Sequence, residues 1–245
     1  MIDEKTIQAL WDWVKRDGVK LLDLFCCGGG ASMGYHNAGF PNILGIDIVK
    51  VRKYPFDLVK ADVMELIEVM PVEWFQHFDL IHASPPCKPH SRAALLAEHQ
   101  GNKKSTLDLI DPIRQFLIKL DVPYVIENVV GAPIDGIMLC GSSFGLKVRR
   151  HRLFECNFLV KPLECRHKEQ GKPVGVYGGM GDTVKGTCSK TGKMVIGGST
   201  AKTIKEAQEA MGIDWLGWSK LKEAIPPAYT EYIALWYWRS KGCWT

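Results

Sequence analysis

Short apolar runs of strand length alternate with helical patterns through the first half of this 245-residue chain. Each run ends at a turn or at an acidic residue; the runs are 21–25, 43–47, 56–59, 78–81 and 124–127. Apolar residues recur at helical spacing between several of them, as in 63–70 and 107–120. Apolar strands that alternate with helices are typical of a mostly parallel sheet covered on both faces. We therefore predict an α/β fold with a doubly wound, mostly parallel sheet, whose ligands bind beyond the carboxyl ends of the strands.

The composition is that of an ordinary globular protein, with 46% hydrophobic and 24% charged residues. No apolar stretch approaches the ~20 residues that a membrane span needs, and residues 1–18 lack the apolar core of a secretory signal. We therefore expect a cytoplasmic protein without membrane contact. The net charge of +4 is compatible with a polyanionic partner and does not by itself indicate one. The eight cysteines are expected to be free thiols, metal ligands or a nucleophile.

The character of the chain changes after residue 158. Residues 159–200 are rich in Gly, Lys, Thr and Cys, a composition that predicts loops and short strands. Helical periodicity returns at 203–211 and at 227–238. We predict a catalytic domain formed by 1–158 and 201–245, with 159–200 as a small insert.

A glycine-rich turn, FCCGGG at 25–30, follows the first run and opens a helix. Glycines at such a turn allow a ligand to approach the backbone, although a tight structural turn has the same composition. Cys27 stands where the dinucleotide pattern has its first glycine, and the Lys-Ser/Thr pair of a phosphate loop is absent from the turn. Asp47 and Asp62 follow the next two runs, where they could bind ribose and adenine or cap helices. An adenosine without a pyrophosphate fits best, which favours S-adenosylmethionine.

The segment Ser84-Pro85-Pro86-Cys87 follows the fourth run. Two prolines fix the backbone and remove two N–H donors, so the loop should be rigid and unpaired. A thiol on such a loop is a candidate nucleophile, and a buried structural cysteine is the alternative.

Two further segments carry polar groups toward the same edge of the predicted sheet. Glu127 and Asn128 end the fifth run, where the carboxyl group could donate a proton to a ring nitrogen or cap the next element. Arg150 and Arg152 alternate, so on a strand they would project from one face and could bind a phosphate or a carbonyl oxygen. A solvated basic patch is the alternative.

Taken in order, five segments resemble the cytosine-C5 DNA methyltransferases, and in particular the short solitary enzymes of bacteria and phages. They are DLFCCGGG, SPPCKPHS, ENV, RRHRLFE and AIPPAYTEYIA. The resemblance covers about 21–234 apart from the Gly-rich insert. It implies a class I, Rossmann-like methyltransferase fold, S-adenosylmethionine as the cofactor and double-stranded DNA as the partner.

The resemblance also implies roles for individual residues. Cys87 would attack C6 of cytosine, Glu127 would act at ring N3, and Arg152 would contact the base carbonyl. Arg150 would support the loop. The implied cofactor-binding residues are Asp23, Phe25, Cys26, Gly29, Gly30, Asp47, Ile48, Asp62, Val63, Pro85, Glu223 and Ala224, with Gly29 and Gly30 giving room for the cofactor. The implied substrate-binding residues are Ser84, Pro86, Lys88, Ser91, Arg92, Asn128, Lys103 and Lys104. The target base must leave the duplex for this chemistry.

The chain departs from the family pattern at several positions. Cys27 replaces a glycine, Lys88 a glutamine and Val148 another glutamine, while Lys222-Glu223 stands in place of Gly-Asn. The region between the arginine segment and the final segment, which reads the target sequence in the family, is reduced here to about 159–200. Base readout needs several placed side chains, so the short insert implies low selectivity, a very short target or a helper protein.

The sequence predicts no metal site. Four residues around the insert are alternative zinc ligands, but their spacing lacks a C-x-x-C pair: Cys156, Cys165, His167 and Cys188. Two other functions stay open beside methylation of DNA. One is the same chemistry on RNA or a free cytosine nucleotide, and the other is an inactive nucleic-acid-binding relative.

Overall fold

A seven-stranded sheet forms the centre of the protein. The computed structural model describes residues 2–86, 108–182 and 199–243. The strand order is β3-β2-β1-β4-β5-β7-β6, in which the first five positions are parallel and β7 runs antiparallel to both neighbours. The strands are β1 (Lys20–Leu24), β2 (Asn42–Asp47), β3 (Asp57–Lys60), β4 (Leu80–Ala83), β5 (Tyr124–Val129), β6 (Ile137–Leu139) and β7 (Arg152–Cys156).

Helices cover both faces of the sheet. In the described part of the chain they are α1 (Glu4–Val14), α2 (Gly30–Asn37), α3 (Val63–Val69), α4 (Val72–Phe75), α5 (Ile110–Leu120), α6 (Ile204–Met211), α7 (Trp218–Leu221) and α8 (Pro227–Ser240). Successive strand residues point to opposite faces. Leu22 accordingly packs with α1, α3, α4 and α5, while Leu21 packs with α2 and α8. The predicted doubly wound, mostly parallel sheet is confirmed.

Helices α2 and α8 pack unusually closely. A Cβ atom on Gly34 would overlap the carbonyl oxygen of Pro227 and the hydroxyl of Thr230. The Thr230 hydroxyl in turn donates to the Ala31 carbonyl, at 2.8 Å. This contact fixes the last helix against the helix that follows the glycine-rich turn, so the chain beside the turn is held in place.

A third hydrophobic cluster lies beyond the sheet. It joins α6 and α7 to Val148 and Ala201, which flank the Gly-rich insert, and to Val176 within it. The described parts of the insert, 159–182 and 199–200, contain no helix and no strand longer than the isolated bridge between Gly175 and Thr200. The division into two domains stays a prediction. Among the described residues, no helix is both long and apolar enough to span a membrane.

Candidate active site

A cavity of about 470 Å³ opens at the carboxyl ends of the parallel strands. Its lining joins residues in or just after the carboxyl-terminal halves of β1 to β5 to the first residue of β7 and to the chain before α8. The residues that line the cavity include Asp23, Phe25, Cys26, Cys27, Gly30, Asp47, Ile48, Asp62, Val63, Ser84, Pro85, Pro86, Leu109, Glu127, Arg152, Lys220, Glu223, Ala224 and Ile225. Of the cofactor-binding residues that the sequence predicted, every one except Gly29 lines this cavity.

The turn after β1 has a left-handed backbone. Phe25 has a φ of 60° and Cys27 a φ of 46°, values that residues with side chains adopt at a cost. Gly29, with a φ of 78°, precedes the first residue of α2. The positive φ at Cys27 gives a physical reason why glycine is usual at this position, and why the cysteine is strained there.

The two acids that follow β2 and β3 hold the backbone as well as lining the cavity. Asp47 accepts the backbone N–H of Cys27 at 2.9 Å through Oδ2 and that of Val49 at 2.8 Å through Oδ1. Asp62 caps α3 by accepting the N–H of Met64 at 2.8 Å. Asp62 therefore does cap a helix, as the alternative interpretation had it. The bonded carboxylate oxygens of Asp47 and Asp62 each keep a second lone pair that could accept from a ligand.

Asp23 is fully buried in the cavity wall. Ser32 donates its hydroxyl to Oδ2, while Oδ1 has no hydrogen-bond partner among the described residues. Burial, with a smaller contribution from the charge of Asp47, raises the pKa of Asp23 to about 7. Asp23 thus offers a cavity ligand an unsatisfied buried acceptor.

Gly29 and Gly30 were expected to leave room for a cofactor. Protein atoms occupy the position that a Cβ atom would take at each glycine, although Gly30 also lines the cavity. A Cβ atom on Gly30 would overlap the carbonyl oxygen of Ile225, and one on Gly29 would lie 2.9 Å from atoms of Tyr54 and Pro55. These glycines allow the chain before α8 and the loop after β2 to approach the turn.

Glu127 and Arg152 face each other across the antiparallel pair β5–β7. Arg152 Nε lies 3.0 Å from Glu127 Oε1, with only 16% and 8% of the two side chains exposed. Register places Asn128 opposite Leu153 and Val129 opposite Arg152. The carboxylate and the guanidinium therefore enter the cavity together.

Side chains on β4 and β5 hydrogen-bond to the segment just before Cys87. Asn128 Nδ2 donates to the Pro85 carbonyl at 2.9 Å, and Asn128 does not itself line the cavity. His82, which the sequence did not single out, lies 3.0 Å through Nε2 from the hydroxyl of Ser84 and 3.0 Å through Nδ1 from that of Tyr35. Burial lowers the pKa of His82 to about 3, so the ring is neutral and one nitrogen can donate while the other accepts.

The alternation of Arg150 and Arg152 predicted that both side chains project from one face of a strand, and this prediction is wrong. Strand β7 begins at Arg152, and Arg150 has a φ of 36°, which breaks the extended alternation. Its guanidinium donates to the carbonyls of Val176, at 3.2 Å, and Lys222, at 2.6 Å. Arg150 therefore ties the insert to the chain before α8.

Several predicted residues lie outside the described residues. They are Cys87, Lys88, Ser91, Arg92, Lys103, Lys104 and Cys188. Their roles remain predictions from the sequence.

Cys26 and Cys27, the two described thiols that line the cavity, are poor nucleophiles. Burial raises the pKa of Cys27 to about 12 and raises that of Cys26 well above its ordinary value. Both are therefore protonated near neutral pH, whereas only the thiolate form of a cysteine is strongly nucleophilic.

Lys220 is a cavity residue that the sequence did not single out. Its Nζ lies 2.8 Å from Glu223 Oε2, and Cys27 Sγ lies 3.7 Å from the same oxygen. The i,i+3 spacing of Lys220 and Glu223 is the sequence feature that could have predicted this ion pair. Leu109 and Lys220 thus belong to the cavity wall although no motif marks them, and Ile225 lies in the segment AIPPAYTEYIA.

The alternative metal ligands are only partly brought together. Cys165 and His167 lie in a group that we call the Cys2His2 cluster, whose four ligand atoms all lie within 4.8 Å of one another; its members are Cys140, His151, Cys165 and His167. Cys156, on β7, does not belong to it.

Three solved structures share this fold. A protein described as a DNA modification methyltransferase of an E. coli prophage aligns with a TM-score of 0.59 at 14% identity, over 92% of this chain and 100% of that one. DNMT2 of Spodoptera frugiperda aligns at 0.54 and 16%, over 90% and 100%. The Entamoeba histolytica methyltransferase EhMeth aligns at 0.54 and 13%, over 92% and 99%.

This sheet order, with a ligand-sized cavity at the strand ends, defines a class I S-adenosylmethionine-dependent methyltransferase fold. Residues 19–132 match the model of the C-5 cytosine-specific DNA methylases. The Type II methyltransferase M.HgiGI of Herpetosiphon aurantiacus is 28% identical over 126 residues, which are 49% of this chain and 97% of that protein. The match therefore covers just under half of the chain and, together with this relative, supports a DNA cytosine-5-methyltransferase.

Proposed function

We propose that this enzyme binds S-adenosylmethionine in the cavity and methylates C5 of a cytosine flipped out of duplex DNA, through a covalent bond between Cys87 and C6. The observation that carries the proposal is the Glu127–Arg152 pair. This pair brings a carboxylate and a guanidinium to the cavity that Asp23, Asp47 and Asp62 also line, and this supports roles for Glu127 as the acid and Arg152 as the donor to the base carbonyl.

The residues present fit the cofactor. Asp47 would accept from the ribose hydroxyls, Asp62 from the adenine amino group, and the unpartnered Oδ1 of Asp23 from a donor of the cofactor. Apolar lining residues such as Ile48 and Val63 would contact the adenine ring. When bound, S-adenosylmethionine supplies the methyl group that C5 accepts.

The chain's own residues would make C5 reactive. The Cys87 thiolate forms a bond to C6 while Glu127 gives a proton or a hydrogen bond to N3, so the ring electrons move toward C5. Arg152 donates to the base carbonyl, where negative charge develops. After C5 is methylated, a base such as water takes the C5 proton, and the electrons of that C–H bond form the C5–C6 double bond while the C6–sulfur bond breaks. This step restores the Cys87 thiolate, and return of the N3 proton to Glu127 restores the aromatic ring.

The surrounding contacts support a fixed position for Cys87. Pro85 and Pro86 restrict the backbone just before it, and Asn128 binds the Pro85 carbonyl. Ser84 is held by His82, at 3.0 Å. His82 and Asn128 are thus positioning residues, since neither lines the cavity.

We assign recognition of the DNA to the charged residues after Cys87 in the sequence and to the insert. Lys103 and Lys104 would contact phosphates, a sequence-independent interaction that weakens with salt. The insert is short, so we infer a short target or a helper protein that supplies further base contacts.

Labelled S-adenosylmethionine tests the reaction. The protein is incubated with duplex DNA, RNA or dCMP, and the product nucleosides are separated. Label in 5-methyl-deoxycytidine from the duplex is expected, whereas label only from RNA or dCMP contradicts the DNA assignment. No label from any substrate contradicts the enzymatic proposal.

A 5-fluorocytosine duplex tests the covalent step, because fluorine at C5 blocks the loss that releases the sulfur. Wild type should form an adduct that survives denaturation, and Cys87→Ala should form none. An equal adduct yield in both proteins would show that another residue attacks C6.

A further inference from the structure

The Cys2His2 cluster lies apart from the active site. None of its members lines the cavity. Cys140 follows β6 and is fully buried, His151 directly precedes β7, and Cys165 and His167 come from the insert. Three separate stretches of chain thus converge on one point beside the antiparallel edge of the sheet.

Two sulfur–nitrogen distances within the cluster match those of a tetrahedral zinc site. Cys140 Sγ lies 3.3 Å from His167 Nε2, and Cys165 Sγ lies 3.5 Å from His151 Nε2. Zinc binds sulfur at about 2.3 Å and nitrogen at about 2.0–2.1 Å, so tetrahedral angles separate the two ligand atoms by about 3.6 Å. The imidazole rings meet edge to face, with centroids 5.1 Å apart, and both present Nε2 to a sulfur.

A neighbouring hydroxyl fits a metal-bound thiolate. Ser142 Oγ lies 3.1 Å from Cys140 Sγ and accepts the backbone N–H of Arg166 at 3.0 Å. The hydroxyl proton is therefore available to the sulfur. Donors of this kind orient thiolate and imidazole ligands in metal sites.

The chain around the cluster needs such a fixed point. Residues 159–174 form no helix and no strand. Val160 and Leu163 pack with the hydrophobic cluster between the sheet, α2 and α8. Hydrogen bonds attach the rest of the segment: Ser143 Oγ donates to the Glu164 carbonyl at 2.8 Å, and Gln170 Nε2 donates to the carbonyls of Leu146 and Val148 at 2.8 Å each. Irregular segments without a core of their own are commonly held by a metal or a disulfide.

We propose that the Cys2His2 cluster binds one structural Zn²⁺ ion. Two sulfur and two imidazole ligands in tetrahedral arrangement select zinc, and four protein ligands leave no open position for catalysis. The ion fastens the insert to the sheet edge. It also fixes His151, the residue directly before Arg152, so it supports the strand end that carries the Glu127–Arg152 pair.

Metal analysis of the tag-free, full-length protein, purified from zinc-supplemented medium without chelators, is the first test. Mass spectrometry of the metal should find about one zinc ion per chain. Protein reconstituted with Co²⁺ should show the visible bands of tetrahedral cobalt and a thiolate charge-transfer band. Zinc far below one per chain, or a disulfide between Cys140 and Cys165 in the purified protein, would overturn the proposal.

Matched cysteine variants locate the ion. Cys165→Ala and His167→Ala should lose at least tenfold in zinc content, whereas Cys156→Ala and Cys243→Ala, outside the cluster, should keep it. A chelator should lower the melting temperature of wild type and not that of Cys165→Ala. Equal zinc content in Cys165→Ala and Cys243→Ala would overturn the assignment; if Cys165→Ala does not fold, the wild-type cobalt spectrum still decides.

Discussion

Glu127 and Arg152 form an ion pair across β5 and β7, with Arg152 Nε 3.0 Å from Glu127 Oε1. Arg114, on α5, and Glu155, on β7, form a second pair, with Nε 2.8 Å from Oε1. The exposures are alike, at 16% and 8% in the first pair and 18% and 13% in the second. Only the first pair lines the cavity at the strand ends. The second pair is therefore a natural control for the chemical role of the first.

Glu127→Gln should lower kcat for DNA methylation by about 100-fold or more, the range that general acid catalysis supplies. Glutamine keeps the size of the side chain and an acceptor for Arg152, so the melting temperature should change little. Glu155→Gln should leave kcat near the wild-type value. Similar losses of kcat in both variants would mean that the pairs only support the sheet edge.

Asp47→Asn should weaken S-adenosylmethionine binding by about 10- to 100-fold, which corresponds to the loss of a charged hydrogen bond of ~1.5–3 kcal/mol. Titration calorimetry measures the Kd directly, without turnover. The matched control is Asp79→Asn, because Asp79 also accepts a backbone N–H, that of Lys20 at 2.8 Å, at the opposite end of the strands. If both variants weaken binding equally, Asp47 acts through the fold alone.

Much of the sheet was predictable because buried strands leave a direct trace in the sequence. The run at 43–47 matches β2, and Asp47 ends it in both the prediction and the structure. The antiparallel edge left a weaker trace, since β6 has three residues and β7 begins with a charged one. A short edge strand buries too little apolar surface to impose a pattern.

Convergence of distant residues could not be predicted from spacing. Arg150 leaves the face of Arg152 because its backbone turns left-handed, at a φ of 36°. Cys140 and His151 join Cys165 and His167 only because β6 and β7 are antiparallel neighbours. Likewise, the sequence predicted that Gly30 leaves room for the cofactor. In the fold, the Ile225 carbonyl oxygen lies where a Cβ atom of residue 30 would be.

Gly34→Ala tests the packing of α2 on α8. An alanine stabilises an isolated helix by about 1 kcal/mol relative to glycine, yet here its Cβ would overlap Pro227 and Thr230. We expect the cost of this overlap to exceed the gain in helix propensity, so that the free energy of unfolding falls by about 1–3 kcal/mol. Urea denaturation measures it. Gly217→Ala, where no atom lies within 4 Å of the added Cβ, should stay within about 0.5 kcal/mol of wild type.

Asp23→Asn should change how stability depends on pH. In the unfolded chain this carboxyl loses its proton near its ordinary pKa of 3.8, whereas burial raises the folded pKa to about 7. The folded state therefore binds more protons between these values, so the contribution of Asp23 is fully present below about pH 4 and is lost as the pH rises to about 7. Asparagine has no such proton to lose.

Urea unfolding of wild type and Asp23→Asn, without cofactor and at several pH values between about 4 and 8, measures this difference. The free energy of unfolding of wild type should fall relative to the variant as pH rises, by up to roughly 4 kcal/mol in total. Above about pH 7 the two curves should run parallel. Curves that are parallel across the whole range would show that the Asp23 carboxyl is ionised in the folded protein, and the unpartnered Oδ1 would then carry a buried negative charge.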